Sequence, residues 1–409
     1  MKFHILFVDD DRMILEGLRR MLTDKRGEWS MHFAESGPAA LDIMAAGPVD
    51  VIVTDMRMPE MDGAELLHKV QQLHPEAIRL MLSGYAEKES LGRAFPPSHQ
   101  FLSKPCPKDL LLSTIDNALQ SRNLLRSTAL RSLVGSIHRL PTLPELYRQV
   151  SRELARDEPS MEKLGTIISQ DVAMTARLLK LVNSPFFGMT RKISNPAQAV
   201  NLVGTSYLQS LILAFTMFDA CDVSIPGYSL RRLLEHSLRT SCAAERIAVM
   251  EGVPDEARDE YRTAGLLHDM GKLILAANLS EAYTQIIEVV QRESRPVHEV
   301  EREVLGATHA EMGAYLLRLW GLPGSVVDAA LLHHAPCTIA TGLDPALAVY
   351  CANILDRELV VLNPGYYTPP LDQAYLERAG LGRRLDLWRE GVQNLCARME
   401  IHEAQDTDS

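Results

Sequence analysis

"DVIVTDMRMPEMDG", residues 50–63, begins with a short apolar run, closes it with an acid, and then turns on proline and glycine. A β-branched run bounded in this way predicts a buried parallel strand with Asp55 at its carboxyl end. Working outward, "FHILFV" (3–8) and "IRLMLS" (78–83) repeat the pattern, and "MHFAE" (31–35) and "QFLS" (100–103) supply two weaker strands. Amphipathic stretches lie between them, among them "RMILEGLRRML" (12–22) and "AELLHKVQQL" (64–73). Alternation of this kind over residues 1–120 predicts a small doubly wound parallel sheet of five strands.

The polar residues at the strand ends give that sheet a chemistry. Asp9 and Asp10 follow the first strand, Asp55 ends the third, Ser83 ends the fourth and Lys104 follows the fifth. The carboxyl ends of an open parallel sheet share one crevice, so these residues should converge. Clustered carboxylates bind a hard cation such as Mg²⁺ through oxygen, and a carboxylate beside it can attack phosphorus to give an aspartyl phosphate. A lysine and a hydroxyl nearby would stabilise the phosphoryl oxygens. Taken singly, each acid has a plainer role as a helix cap or turn residue. The ordered set is what carries the inference.

"ILFVDDD", "DVIVTDMRMPEMDG", "LSGYA" and "FLSKP" resemble the receiver domain of two-component response regulators, over residues 1–122. The resemblance implies a flavodoxin-like fold with Asp55 as phospho-acceptor and Asp9, Asp10 and Asp55 holding Mg²⁺. It also implies the Arg57 carbonyl as a further metal ligand and Lys104 as the lysine of the KP motif. Ser83 and Phe101 would be the two switch positions, and a sensor histidine kinase would be the partner.

After "KPCPKD" (104–109) the pattern becomes almost wholly helical. The run 109–140 closes the first domain and continues as a connector, placed at 123–139. Its apolar spacing is irregular, which suits a packed helix or a homodimer interface better than a sustained coiled coil. Prolines in "LPTLP" (140–144) mark the next domain, 140–340, and a helical extension fills 341–409.

Composition narrows the function classes. A formal net charge of −11 argues against a nonspecific nucleic-acid binder. Six scattered cysteines without a CxxC pair read as reduced thiols. No apolar run approaches the ~18 residues of a membrane span, and "LILAFTMF" (211–218) reads as a buried helix. A cytoplasmic protein working without membrane or nucleic acid is expected.

The helical part carries "GLLHDMGK" (265–272), in which His268 and Asp269 could reach one metal ion. His236 precedes it, and His309 and the pair His333–His334 follow. Nitrogen ligands with a carboxylate suit a transition metal, and such an ion can activate water against a phosphodiester. Helix capping and satisfied core polarity are the plainer roles for any one histidine.

"LPTLPEL" (140–146), "ISQDVAMTARLLKLVNSPFFG" (168–188) and "ISNPAQAVNLVG" (193–204) lead up to the histidine motifs. Together they resemble the HDOD domain, a divergent branch of the HD superfamily of metal-dependent phosphohydrolases. The resemblance implies an all-α domain that works as a regulatory module, engaging a protein or nucleotide partner. It also implies a second metal site at His236, His268, Asp269, His309, His333 and His334. The acid that closes such a site is replaced by Asn353, with Asp356 one turn further on. "HHAPCTIATG" lacks the Gly-Tyr-Pro loop of cyclic-di-GMP phosphodiesterases, and "NPGYYTPP" (363–370) lies too far downstream to replace it. The expectation is a phosphorylated response regulator with a binding output; the alternative is a phospho-regulated hydrolase of a nucleotide or phosphodiester.

Overall fold

The computed structural model describes residues 2–83, 98–124, 129–130, 133–134, 143–156, 158–184, 193–221, 223–336, 342–360 and 367–406. Most of the 123–139 connector, residues 140–142 of "LPTLP" and residues 185–188 of "LVNSPFFG" lie outside the described residues. So do Gly84–Ala86, the 337–341 segment and residues 363–366 of "NPGYYTPP". Two compact units are formed, one of Met1–Thr142 with Tyr315–Leu322, the other of Leu143–Ala314 with Pro323–Ser409.

The first unit is built on strands β1 (Phe3–Val8), β2 (Trp29–Ala34), β3 (Val51–Asp55), β4 (Ile78–Ser83) and β5 (Gln100–Ser103). They form the expected five-stranded sheet, every pair parallel, in the flavodoxin-like order β2-β1-β3-β4-β5. Central strands must be apolar on both faces, and Ile5, Leu6, Phe7, Val51 and Ile52 are fully buried. Leu6, Ile52 and Met81 pack with Leu66, Leu67 and Val70 of the Gly63–Leu73 helix. Each such side chain contributes about 1.5–3 kcal/mol of transfer free energy. Register then places the chemistry: Val8 pairs with Thr54, Asp55 with Leu82, and Ser83 with Ser103, so the polar residues emerge at one edge.

The regular structure of the second unit is helical among its described residues, apart from one isolated bridge between Ile225 and Tyr228. Several of its helices begin on cap residues whose side chains accept a backbone N–H, among them Ser160, Asp171, Asn195, Ser229 and Asp344. Asn183, from the "LVNS" stretch, clamps the chain by accepting from Ile193 N and donating to Ile193 O, both at 2.7 Å. The helix Thr205–Ala220 contains "LILAFTMF" and buries most of it. Among the described residues no single helix is long and apolar enough to cross a membrane. At the centre the helix Leu230–Met250 packs against Asp255–Leu267 and Pro345–Leu359. Nearly all of Ala346–Asp356 is buried, which seats the end of that helix among the histidines.

Candidate functional site

In the first unit, Asp9 and Asp55 are buried at the strand ends and Asp10 is exposed. The amine of Lys104 donates to Asp9 Oδ2 at 2.7 Å and also pairs with Asp55 Oδ1. Asp55 Oδ2 accepts from Arg57 N at 2.9 Å, and Asp9 Oδ1 from Asp11 N at 3.0 Å. Burial raises the Asp9 carboxyl above its ordinary value, against the pull of Lys104. Burial pulls Lys104 down, but its two carboxylates win and hold the amine above its ordinary value. Helix capping falls to Asp11, whose carboxylate accepts from Met13 N at 2.8 Å and starts the Arg12–Met21 helix. That leaves Asp9, Asp10 and Asp55 free of the capping role. Ser83 and Phe101 lie on β4 and β5, and their side chains fall outside the described residues.

In the second unit, His236, His268, Asp269, His309 and His333 are all buried around one point. Two glycines of "GLLHDMGK" allow this. A Cβ on Gly265 would lie 2.6 Å from Ser241 Cα, and one on Gly271 would lie 1.9 Å from His309 O. Only hydrogen at these positions lets the helices carrying His236, Asp269 and His309 approach so closely.

Asp269 is the hub. Its Oδ2 lies 3.4 Å from His268 Nε2 and 3.8 Å from His236 Nε2, and accepts from Lys272 Nζ at 2.6 Å. Its Oδ1 lies 3.4 Å from both His309 Nε2 and His333 Nε2. Although burial works against ionisation, His268 and Lys272 hold this carboxyl well below the ordinary value. Asp269 occupies a helix N-cap position yet makes no cap bond, because its oxygens face the histidines.

Behind the histidines, each Nδ1 is committed. His268 Nδ1 bonds Gly265 O at 2.7 Å and His333 Nδ1 bonds Ala330 O at 2.8 Å, so both donate there. His309 Nδ1 lies 2.5 Å from Glu301 Oε2, and His236 Nδ1 lies 2.6 Å from Asp356 Oδ2. This second layer turns four Nε2 atoms inward. Those of His236 and His268, with Asp269 Oδ1, have no hydrogen-bond partner among the described residues. His309 Nε2 sits 3.3 Å from His333 Nε2 and 2.9 Å from His334 Nε2. With Nδ1 protonated, lone pairs face one another across these gaps unless a proton or cation lies between them. Burial pulls the His236 imidazole down to about 4 despite Asp356, and pulls His333 and His334 well below their ordinary value. The candidate ligand atoms fall into two groups, His236–His268–Asp269 and His309–His333–His334, each spanning no more than 4.8 Å. Imidazole Nε2 atoms turned inward beside a carboxylate, backed by hydrogen-bonded Nδ1, are the donor set a transition metal needs.

Of the two candidates for the closing position, Asp356 points elsewhere. It binds His236 Nδ1 and accepts from Arg239 Nε at 2.6 Å, so it orients a histidine from behind. Asn353 is buried with Oδ1 unpartnered among the described residues. Sequence reasoning passed over Glu301, which fixes His309, and Lys272, which stands inside the quoted motif. It also passed over Arg239 and Arg357. No spacing rule singles out a carboxylate eight residues before a histidine; Lys272 alone had a visible signal, in its place three residues after Asp269.

Residues 5–116 match the response regulator receiver domain and residues 140–336 match the HDOD domain. An uncharacterized protein of Treponema pallidum (strain Nichols) is 28% identical over 225 residues, 54% of this chain and 43% of its own length. The hydrogenase transcriptional regulatory protein HoxA of Cupriavidus necator is 30% identical over 158 residues, 37% of this chain and 30% of its own. The chain thus spans less than half the length of these two relatives. The crystal structure of an HDOD domain protein from Geobacter sulfurreducens shares the fold at a TM-score of 0.50 and 23% identity, covering 66% of this chain and 97% of that one.

Proposed function

We propose that this chain, a receiver domain followed by an HDOD domain, is a two-component response regulator in which Asp55 accepts phosphate from a sensor histidine kinase. The observation that carries the reading is Lys104 held between Asp9 and Asp55 where the strands end. An Asp55 oxygen attacks the phosphorus of a phosphohistidine, forming an O–P bond as the N–P bond breaks, and the imidazole leaves with the electron pair. Lys104 then shifts from carboxylate to phosphoryl oxygen and offsets the added charge. Mg²⁺ held by Asp9, Asp10, Asp55 and the Arg57 carbonyl would neutralise the phosphoryl oxygens during transfer. Ser83 and Phe101 are assigned the switch roles, and the connector is the route by which the phosphate biases the output. The output engages a protein or small molecule in the cytoplasm, without nucleic acid or membrane. Labelling with acetyl phosphate and Mg²⁺ tests this: wild type should label, and equal labelling of Asp55→Ala would sink the assignment.

A second reading has its own support in the four inward Nε2 atoms around Asp269. His236, His268, Asp269, His309, His333 and His334 would hold a transition metal, which supplies Lewis acidity and an activated water for phosphodiester hydrolysis. Asn353 brings no charge to the closing position, which favours binding over turnover. Metal analysis of the purified chain and turnover assays on phosphodiesters discriminate the two. Stoichiometric metal, with turnover lost in His268→Ala, would favour the hydrolase.

A further inference from the structure

The histidine cluster is buried, so an ion bound there needs a way in. His309 and His333 are fully buried, whereas His334, whose Nε2 lies 2.9 Å from His309 Nε2, is only partly so. His334 is therefore the member of the His309–His333–His334 group that solvent reaches first. A further histidine, His298, which belongs to none of the sequence motifs, covers it: the two rings stack at 4.0 Å and 18°. Face-to-face imidazoles send their in-plane lone pairs out side by side, not toward one point. His298 thus shields His334 and is not placed to share an ion with it.

His298 lines two spaces. One is an open groove of about 290 Å³, with Arg295, Glu299, Arg302 and Glu303. The other is a cavity of about 20 Å³, which His333, His334 and Asn353 also line. That is room for about one water, so the cavity suits a bare ion and no organic ligand. In the groove, Arg295 donates to Glu303 at 2.9 Å and Arg302 to Glu311 at 2.9 Å, so both cations are neutralised and neither repels an entering ion. His298 is the second residue of the Val297–Leu305 helix, whose first turn has no side-chain cap. Helix ends open more easily than helix centres, and a partly exposed side chain changes rotamer rapidly. Tyr367, 41% exposed, lines the same small cavity and marks the rival route.

We propose that the His298 ring is a gate: it closes the passage from the groove to the histidine cluster, and a transition-metal ion enters and leaves only when the ring swings off His334. The proposal rests on the second reading above, in which the cluster holds such an ion, and adds how that ion is loaded and kept. A gate changes the barrier and not the two end states, so its removal speeds uptake and release by the same factor. A ligand behaves differently, since its removal weakens binding.

The test uses the full chain, stripped with chelator, as wild type, His298→Ala, His298→Phe and Tyr367→Ala. Co²⁺ is mixed in, its absorption follows uptake, and excess EDTA then gives the release rate. His298→Ala should take up and release Co²⁺ about tenfold faster or more, with affinity within about threefold of wild type. His298→Phe keeps a flat ring without nitrogen and should exchange at the wild-type rate, as should Tyr367→Ala. His298→Ser supplies a second small side chain should alanine lower the melting temperature. The proposal is overturned if both small variants exchange at the wild-type rate, or if uptake slows, which would make His298 a carrying ligand. It is equally overturned if affinity falls without faster uptake, or if Tyr367→Ala alone speeds exchange. Wild-type protein that takes up Co²⁺ with rates indifferent to His298 sinks the gate and leaves the metal reading standing. Wild-type protein that takes up none removes both, and acetyl-phosphate labelling of Asp55 in the same samples shows that the chain is folded.

Discussion

Each of the two candidate sites sets a lysine against an aspartate, but the surroundings differ. Lys104 is 26% exposed and bridges two carboxylates, Asp9 and Asp55, at the open edge of a sheet. Lys272 is 1% exposed and holds the single carboxylate of Asp269 inside a helical core. The first arrangement has excess negative charge reachable from solvent, which suits a cation and a phosphodonor that come and go. The second is nearly balanced and closed, with four Nε2 atoms directed at the carboxylate, which suits a resident ion or ligand. Both sites centre on aspartate, yet on the proposed reading one serves transfer and the other retention.

The largest expected effect tests the transfer side. Asp55→Asn keeps the size of the side chain and removes the nucleophile, so phosphorylation by acetyl phosphate should fall to background on a phosphate-affinity gel. Labelling that persists would mean that another acid, not Asp55, is the acceptor. The matching change on the retention side is Asp269→Asn. It removes the carboxylate that faces all four imidazoles, and any transition metal carried by wild type should be lost on dialysis. Asp356→Asn should weaken metal binding by about 10–100-fold, as a lost second-layer partner does, because among the described residues its side chain bonds only His236 Nδ1 and Arg239. Equal metal content in these two variants would show that Asp269 is not the hub.

Breaking the buried pair separates the two sites by stability. Lys272→Met leaves the Asp269 charge without the lysine hydrogen-bonded to it, and a buried ion stripped of its partner typically costs about 3–5 kcal/mol. The loss should appear in urea unfolding of the chelated protein and shrink when Mn²⁺ or Zn²⁺ is supplied. An unchanged midpoint would mean that water reaches Asp269.

Acid should also divide the two units. The His236 pKa is lowered by burial to about 4, and those of His333 and His334 are lowered in the same direction. Between the ordinary imidazole value near 6.5 and the lowered one, the unfolded chain binds the extra proton. Stability therefore falls as pH drops through that window, by about 1.4 kcal/mol per pH unit for each such group. In the first unit, His99 is lowered well below the ordinary value by burial, and His32 is lowered as well. Both units should therefore weaken in acid. Because His236, His298, His333 and His334 are lowered in the second against His32 and His99 in the first, hydrogen exchange followed from pH 7 to 5 on chelated protein should show protection lost faster around His236 and His333 than along β1 and β3. Parallel loss in both would contradict the comparison.

How much of this could be read from sequence also differs between the sites. Strand ends in a parallel sheet are fixed by alternation of apolar runs and turns, so the convergence of Asp9, Asp55 and Lys104 was legible from order alone. The histidine cluster depends on how helices pack, and the sequence supplied only residue types and motifs. It offered Asp356 as a substitute for the missing acid, but a position one turn on from Asn353 faces His236 from behind. The residues behind the imidazoles, Glu301 on His309 and Arg239 on the Asp356 that holds His236, follow no local pattern, because these contacts join residues eight to more than a hundred positions apart in sequence.

The smallest effect bears on the plainest alternative, that these acids only cap helices. Asp171 caps the Val172–Val182 helix through Met174 N at 2.9 Å, and Asp11 caps Arg12–Met21. Replacing either with alanine should cost about 1 kcal/mol, the usual value of a lost N-cap, and leave phosphorylation and metal content unchanged. Asp269 stands at the same position of its own helix but gives its oxygens to Lys272 and the histidines, not to backbone N–H. Asp269→Asn should therefore show no capping loss and instead change metal retention. If Asp269→Asn and Asp171→Ala have the same small effect on stability and none on metal, Asp269 is a structural residue and the cluster has no ion to hold. If they separate, the difference measures what Asp269 gains by facing the histidines.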